Sequence, residues 1–253
     1  MKSLVSYLKM VWDIMANEYY LQEHKTSRNF DTIIQSHLPR IVPRLRPDGL
    51  YLDLGGGRGR LKELYGGVGL NVVVGDISLA MMRTRINSSP STLYIQMDAF
   101  RIPFGESVFD GVFSLLGDPY SLREAFEEVH RVLKPSGFFF IALPTKLWAD
   151  NLRPFLGVQT NLAVFRTQNA KSVKVPSFLY DSKDLKKILL SVGFEQVKTG
   201  DWQPSGLISK DEFSRDVLIS ASNLGIPPEE LSLITYALAH KSDVIGANCN
   251  ERE

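Results

Sequence analysis

Residues 53 to 59 read D-L-G-G-G-R-G. An acid, Asp53, closes the apolar run that begins at Tyr51, and Gly55, Gly56, Gly57 and Gly59 follow it. Glycine is needed where φ is positive or where another group presses on the backbone. A bare tight turn would need one or two glycines. A glycine loop between a strand and a helix is a common ligand site, because backbone N–H groups point outward there. The spacing excludes two phosphate loops. The dinucleotide pattern G-x-G-x-x-G would place its third glycine at Arg60 or Lys62. The pattern G-x-x-x-x-G-K-[ST] fails because no glycine here is followed by Lys-Ser or Lys-Thr. What fits is D-x-G-x-G-x-G. A carboxylate ahead of the glycines would repel a pyrophosphate and suits a cationic ligand.

Two more acids share this arrangement. Asp76 ends the β-branched run Asn71–Gly75, where a carboxylate can accept from both hydroxyls of a ribose. It could also cap the next helix, although Ser78 is better placed for that. Asp98, followed by Ala99, comes after a third apolar run and could accept from an exocyclic amine. As ends of three successive parallel strands, these acids would line one crevice.

The elements that must place them are legible from Gly49 onward. Short apolar runs at 51–54, 71–75, 92–96, 111–115, 138–143 and 194–199 alternate with helical spacing. The spacing predicts helices near 59–64, from Ser78, from a Ser121/Glu124 capping box, and over 181–192. Repeated strand–helix–strand units imply a mostly parallel sheet with helices on both faces. Apolar residues at Leu4, Leu8, Val11, Trp12, Met15 and Tyr19 predict an N-terminal helix, and a second is predicted over 32–45, interrupted at Pro39 and Pro43. Segments 1–30, 145–180 and 203–230 fall outside the alternation. The last should hold a helix opened by a Ser209/Glu212 capping box, and 231–240 reads as strand or helix.

Composition narrows the function. The chain has 253 residues, 44% of them hydrophobic, and a formal charge of +1, which suits one domain with insertions and no global field for a polyanion. Cys249 is the single cysteine, and His24, His37, His130 and His240 are scattered, so no structural metal is expected. No stretch is apolar enough to span a bilayer, and a cytoplasmic protein is expected.

At these residues the chain resembles the class I S-adenosylmethionine-dependent methyltransferases, and within them the broad small-molecule branch called methyltransferase type 11. The motifs are L-D-L-G-G-G-R-G at 52–59, V-G-D-I-S at 74–78 and D-A-F-R-I-P-F-G-E-S-V-F-D at 98–110, joined by H-R-V-L-K-P-S-G at 130–137 and L-L-S-V-G-F at 189–194. The resemblance covers 45–145 well and 178–200 moderately. It implies a Rossmann-like, seven-stranded sheet with a reversed last strand, which favours a strand at 231–240, and helical cap insertions at 145–180 and 203–230. It implies S-adenosylmethionine as cofactor. Gly55, Gly56, Gly57 and Gly59 would lie against its methionine and ribose, and Asp53 would orient the loop and the amino group. Asp76 would take the ribose hydroxyls with Ile77 on the adenine, Asp98 the adenine amine with Ala99 beside it, and Leu115 would present backbone near the transferring methyl.

The resemblance leaves the acceptor open. After the fourth strand, relatives often carry histidine or another polar residue, whereas this chain reads Leu116-Gly117-Asp118-Pro119-Tyr120. No catalytic motif stands out; Tyr20 and His24, at the end of the N-terminal lid helix, are the candidates. Trp148, Phe155, Phe165 and Phe178 are expected to cover an acceptor pocket. A small-molecule or lipid-like acceptor is the first expectation. An RNA or protein substrate on a basic face of Arg40, Arg44, Arg46, Arg58 and Arg60 is the alternative, with a non-catalytic cofactor-binding subunit behind it. No oligomeric state is implied.

Overall fold

The computed structural model describes residues 2–19, 24–65, 69–86, 92–166 and 172–243. Tyr20 and Cys249 lie outside them. Nine strands and eight α-helices are formed by the described residues.

The first five sheet strands are β1 (Leu50–Leu54), β2 (Asn71–Asp76), β3 (Leu93–Gln96), β4 (Phe109–Leu115) and β5 (Leu133–Pro144). With β8 (Phe194–Trp202) and β9 (Ile234–Lys241) they make a seven-stranded sheet ordered β3-β2-β1-β4-β5-β9-β8. β9 runs antiparallel to β5 and β8, so 231–240 contributes the reversed last strand. The order reverses direction between β1 and β4, and parallel pairing brings the carboxyl ends of β1 to β4 to one edge. Such a switch point opens a crevice between neighbouring loops. One apolar layer, with Phe113, Phe140 and Leu238, lies on one sheet face, and another, with Phe109, Phe139 and Ala237, lies on the opposite face. β5 is buried from Phe138 to Pro144, as a strand covered on both sides must be.

The helices are α1 (Lys2–Met15), α2 (Lys25–Ile41), α3 (Arg60–Tyr65), α4 (Leu79–Ile86), α5 (Arg123–Val132), α6 (Lys146–Leu152), α7 (Ser182–Val192) and α8 (Arg215–Leu224). Three differ from the spacing. α2 begins at Lys25, well before Thr32, and keeps Pro39 in its last turns. α5 has no capping box: its N-cap is Leu122, and the Ser121 hydroxyl donates to Gly117 O at 2.9 Å, tying the turn Asp118–Tyr120. The Ser209/Glu212 box does form, but around the short 3₁₀ turn Lys210–Glu212. Phe213 then buries in extended backbone and Ser214 caps α8. Pro135 and Gly137 fall in a bulge inside β5, where Phe109 pairs with Leu133 and Gly111 with Phe138.

The 145–180 segment is not wholly helical. Thr145 caps α6, and an antiparallel hairpin follows, β6 (Leu162–Arg166) and β7 (Ser172–Pro176). The segment is fastened to the β4–α5 loop by a polar chain. Buried Arg153 donates to Ser177 Oγ at 2.7 Å and to Thr160 O, and Ser177 Oγ donates to Asp118. Phe178 N–H adds a bond to Asp118 O at 3.0 Å. No helix among the described residues is long and apolar enough to cross a membrane.

Candidate active site

The switch-point crevice is a cleft of about 830 Å³, partly open to solvent. Its floor comes from the ends of β1 to β4: Asp53 to Gly56, Asp76 and Ile77, Asp98 and Ala99, and Leu115. α1 lies across it, with Val5, Leu8 and Trp12 on the cleft, and Tyr19 continues the cover. Two contacts hold α1 there. Ser78 Oγ donates to Asp13 at 2.6 Å, and Tyr7 donates to Lys174 O at 2.6 Å.

The three acids therefore meet in one cavity, each held differently. Asp53 is wholly buried; one oxygen accepts from Leu61 N–H at 3.0 Å, and Oδ1 has no partner. A buried, unpartnered carboxylate oxygen is costly and calls for a donor. Asp76 accepts from Gly57 N–H at 2.9 Å and Ser78 N–H at 2.8 Å. A carboxylate has about four acceptor sites, so capacity remains for two hydroxyls. Ser78, not Asp76, caps α4, accepting from Met81 N–H at 3.1 Å. Asp98 accepts from Phe100 N–H at 2.9 Å. Burial pushes both Asp53 and Asp76 up to about 6, with bonds from Leu61 to the first and from Ser78 and Gly57 to the second pulling down.

The glycines do a different job from the one their pattern suggests. At Gly55 (φ +69°) a Cβ would sit 1.9 Å from the Tyr120 hydroxyl, and at Gly56 it would sit 2.5 Å from the Asp53 carboxyl carbon. At Gly59 (φ +90°) it would press on Tyr94 and Val74. The protein's own side chains fill these places. Gly55 and Gly56 face the cleft; Gly57 and Gly59 do not line it and shape the bend behind it.

Beyond Gly55 the cleft is bounded by Leu116, Pro119 and Tyr120, with Trp12 and Tyr19 opposite. Leu116 has φ +63°, a strained conformation for a branched side chain, costing on the order of 1–3 kcal/mol. Trp12, Tyr19 and Phe165 contact one another at ring separations of 5.4 to 5.9 Å. His24 meets this cluster only through Phe165, at a ring separation of 6.4 Å, and does not line the cleft. Of the four aromatics expected over the acceptor, only Phe165 joins the cluster. Trp148 packs edge-on against Phe30, Phe155 is 63% exposed, and Phe178 is not on the cleft. The basic face is largely neutralised: Arg46 pairs with Asp110 at 2.7 Å, Arg58 with Glu63 at 3.3 Å and Arg60 with Asp31 at 2.5 Å.

Comparison with known proteins agrees with this geometry. Residues 52–141, which carry all three acids, match the family model of a methyltransferase domain. The matched family model and the fold of the solved neighbours are those of S-adenosylmethionine-dependent class I methyltransferases. It is 27% identical over 202 residues to an uncharacterized protein of Methanocaldococcus jannaschii, covering 72% of this chain and 77% of the other. It is 37% identical over 93 residues to a demethylmenaquinone methyltransferase of Paenarthrobacter aurescens, covering 36% of this chain and 37% of the relative. The fold matches a solved methyltransferase of Haloferax volcanii, in complex with the Trm112 activator, at a TM-score of 0.68 and 14% identity, covering 91% and 97% of the two chains.

The methyltransferase cleft fits its cofactor on its own terms. Asp53 Oδ1 awaits a donor, Asp76 keeps acceptor capacity beyond its bonds from Gly57 and Ser78, and Ile77 and Ala99 line the same cleft as Asp98. No group of three His, Cys, Asp or Glu is gathered for a metal among the described residues. Because the cofactor's amino group and hydroxyls would donate to ionised carboxylates, binding should weaken as pH falls through about 6 and level off above. We expect roughly tenfold weaker binding at about pH 5 than at neutral pH for one carboxylate, and more for two. Calorimetry giving the same affinity at both would contradict the ionised roles of Asp53 and Asp76.

Arg60, Leu116 and Tyr120 line this cleft and were not assigned to it from the sequence. Tyr19, which continues the apolar spacing of the N-terminal helix, lines the cleft as a residue at the end of a lid over the cofactor would.

Proposed function

We propose that this methyltransferase passes the methyl group to a small-molecule or lipid-like acceptor entering between α1, the β6–β7 hairpin and the loop 116–120. The enclosure carries this reading. The free end of the cleft is walled by Trp12, Tyr19, Leu116 and Pro119, under a helix of the chain itself. Internal ion pairs at Arg46, Arg58 and Arg60 leave a poor landing surface for RNA. The acceptor named for the Paenarthrobacter aurescens relative, demethylmenaquinone, is of the same apolar kind.

The cofactor supplies an electrophilic methyl on a sulfonium leaving group. The chain's part is alignment and exclusion of water, which can contribute about 7–11 kcal/mol. Asp53, Asp76 and Asp98 would fix the donor, and Leu115 and Leu116 would set the floor beneath the methyl. The rings of Trp12 and Tyr19 would face the sulfonium, a cation–π contact of about 0.5–2 kcal/mol. Burial pushes the Tyr19 phenol up, so it stays neutral and offers its ring and a hydrogen bond. A base is needed only for an acceptor protonated at neutral pH.

Two experiments test this. S-adenosylmethionine at about 100 times its Kd should stabilise the protein by about 2.7 kcal/mol, and NAD should not. Labelled cofactor offered with metabolites, lipids and RNA should label the small-molecule or lipid fraction. Label confined to RNA or protein would overturn the acceptor class.

A further inference from the structure

We propose that Arg60, held in place by Asp31, receives the carboxylate of the cofactor's amino-acid end, so that Arg60 and Asp53 together form a clamp of opposite signs for that zwitterion. This rests on the cofactor reading above. The cleft is lined by Asp53, Asp76 and Asp98, a field that repels any carboxylate. The amino-acid end of S-adenosylmethionine carries one carboxylate as well as one ammonium. Asp53 Oδ1, buried and without a partner, suits the ammonium. The carboxylate needs a cation, and among the described residues lining the cleft Arg60 is the only Lys or Arg. Its side chain is 12% exposed and lines the same cleft as Asp53, Gly55 and Gly56.

Asp31 explains how a charge stays there. It comes from α2, does not itself line the cleft, and meets Arg60 Nη1 at 2.5 Å. A guanidinium carries five N–H donors in a fixed fork, more than one carboxylate takes up, and it binds a second carboxylate without turning. The pair is neutral as a whole, which lowers the cost of keeping Arg60 out of water. Asp31 is thus a positioning residue, and Arg60 the group that touches the ligand.

The test compares two ligands. S-adenosylhomocysteine has the amino-acid end, and 5′-methylthioadenosine lacks it. By calorimetry, Arg60→Met should weaken binding of the first about 10- to 30-fold and leave the second within about twofold. Arg60→Met leaves Asp31 buried without its partner, so the double variant Arg60→Met/Asp31→Asn, in which neither charge remains, is measured alongside. It should show the same selective loss. Equal weakening of both ligands, or undiminished binding of S-adenosylhomocysteine in a folded variant, would overturn the clamp. If the unaltered protein binds neither ligand, the cofactor reading fails and the clamp with it.

Discussion

Gly55→Ala should destabilise the protein by about 2–5 kcal/mol, far more than alanine at a glycine with a similar positive φ and open space. Gly55 has φ +69°, where an L side chain costs about 1–2 kcal/mol. The added Cβ would also sit 1.9 Å from the Tyr120 hydroxyl and 2.7 Å from its ring carbon. Tyr120 is tied in place on the side away from the cleft. Its hydroxyl donates to Leu54 O at 2.6 Å, and the ring is wedged against Gly117, where a Cβ would come within 2.4 Å of the same oxygen. Overpacking of this kind adds about 1–3 kcal/mol. Gly206 is the control: its φ is +73°, and no atom lies within 4 Å of the place a Cβ would take. Gly206→Ala should cost only the backbone share. Urea denaturation of both variants gives the difference directly, and equal losses would show that Tyr120 is not the obstacle.

The second large effect is on ligand affinity. Asp76→Ala should weaken binding of S-adenosylhomocysteine by about 100-fold or more, near the 3 kcal/mol end of the range for hydrogen bonds to a charged group. The carboxylate would take the ribose hydroxyls while it already holds Gly57 N–H and Ser78 N–H. Its loss therefore removes ligand contacts and frees both the glycine bend and the start of α4. Through Ser78, which donates to Asp13 on α1, the cover is loosened as well. Asp98→Ala should cost less, because that side chain holds one backbone N–H of its own loop. Calorimetry showing unchanged affinity in Asp76→Ala would remove the ribose role.

The site's acids were legible because of sheet geometry. Parallel strands bring their carboxyl ends to one edge, so Asp53, Asp76 and Asp98, each at or just past a strand end, had to converge. The glycine pattern was legible too, but not its cause: only the fold shows that Tyr120, Asp53 and Tyr94 occupy the vacated positions. Arg60 and Asp31 could not be joined from the sequence, because their ion pair links α3 to a helix that precedes the sheet. The capping signal at Ser121 and Glu124 misled because α5 begins one residue later, after Leu122, while Ser121 closes the preceding turn Asp118–Tyr120 onto Gly117 O. Hairpin β6–β7 escaped because its short strands are half-exposed and pair only with each other. Trp148 has the composition of a pocket wall, yet it serves the contact with Phe30.

A crystal structure with S-adenosylhomocysteine would test the whole proposal most directly. The expected result places the ribose hydroxyls on Asp76, the amino group on Asp53 Oδ1 and the adenine between Ile77 and Ala99. A ligand bound elsewhere on the chain, or lying in this cleft without touching Asp53 or Asp76, would contradict it.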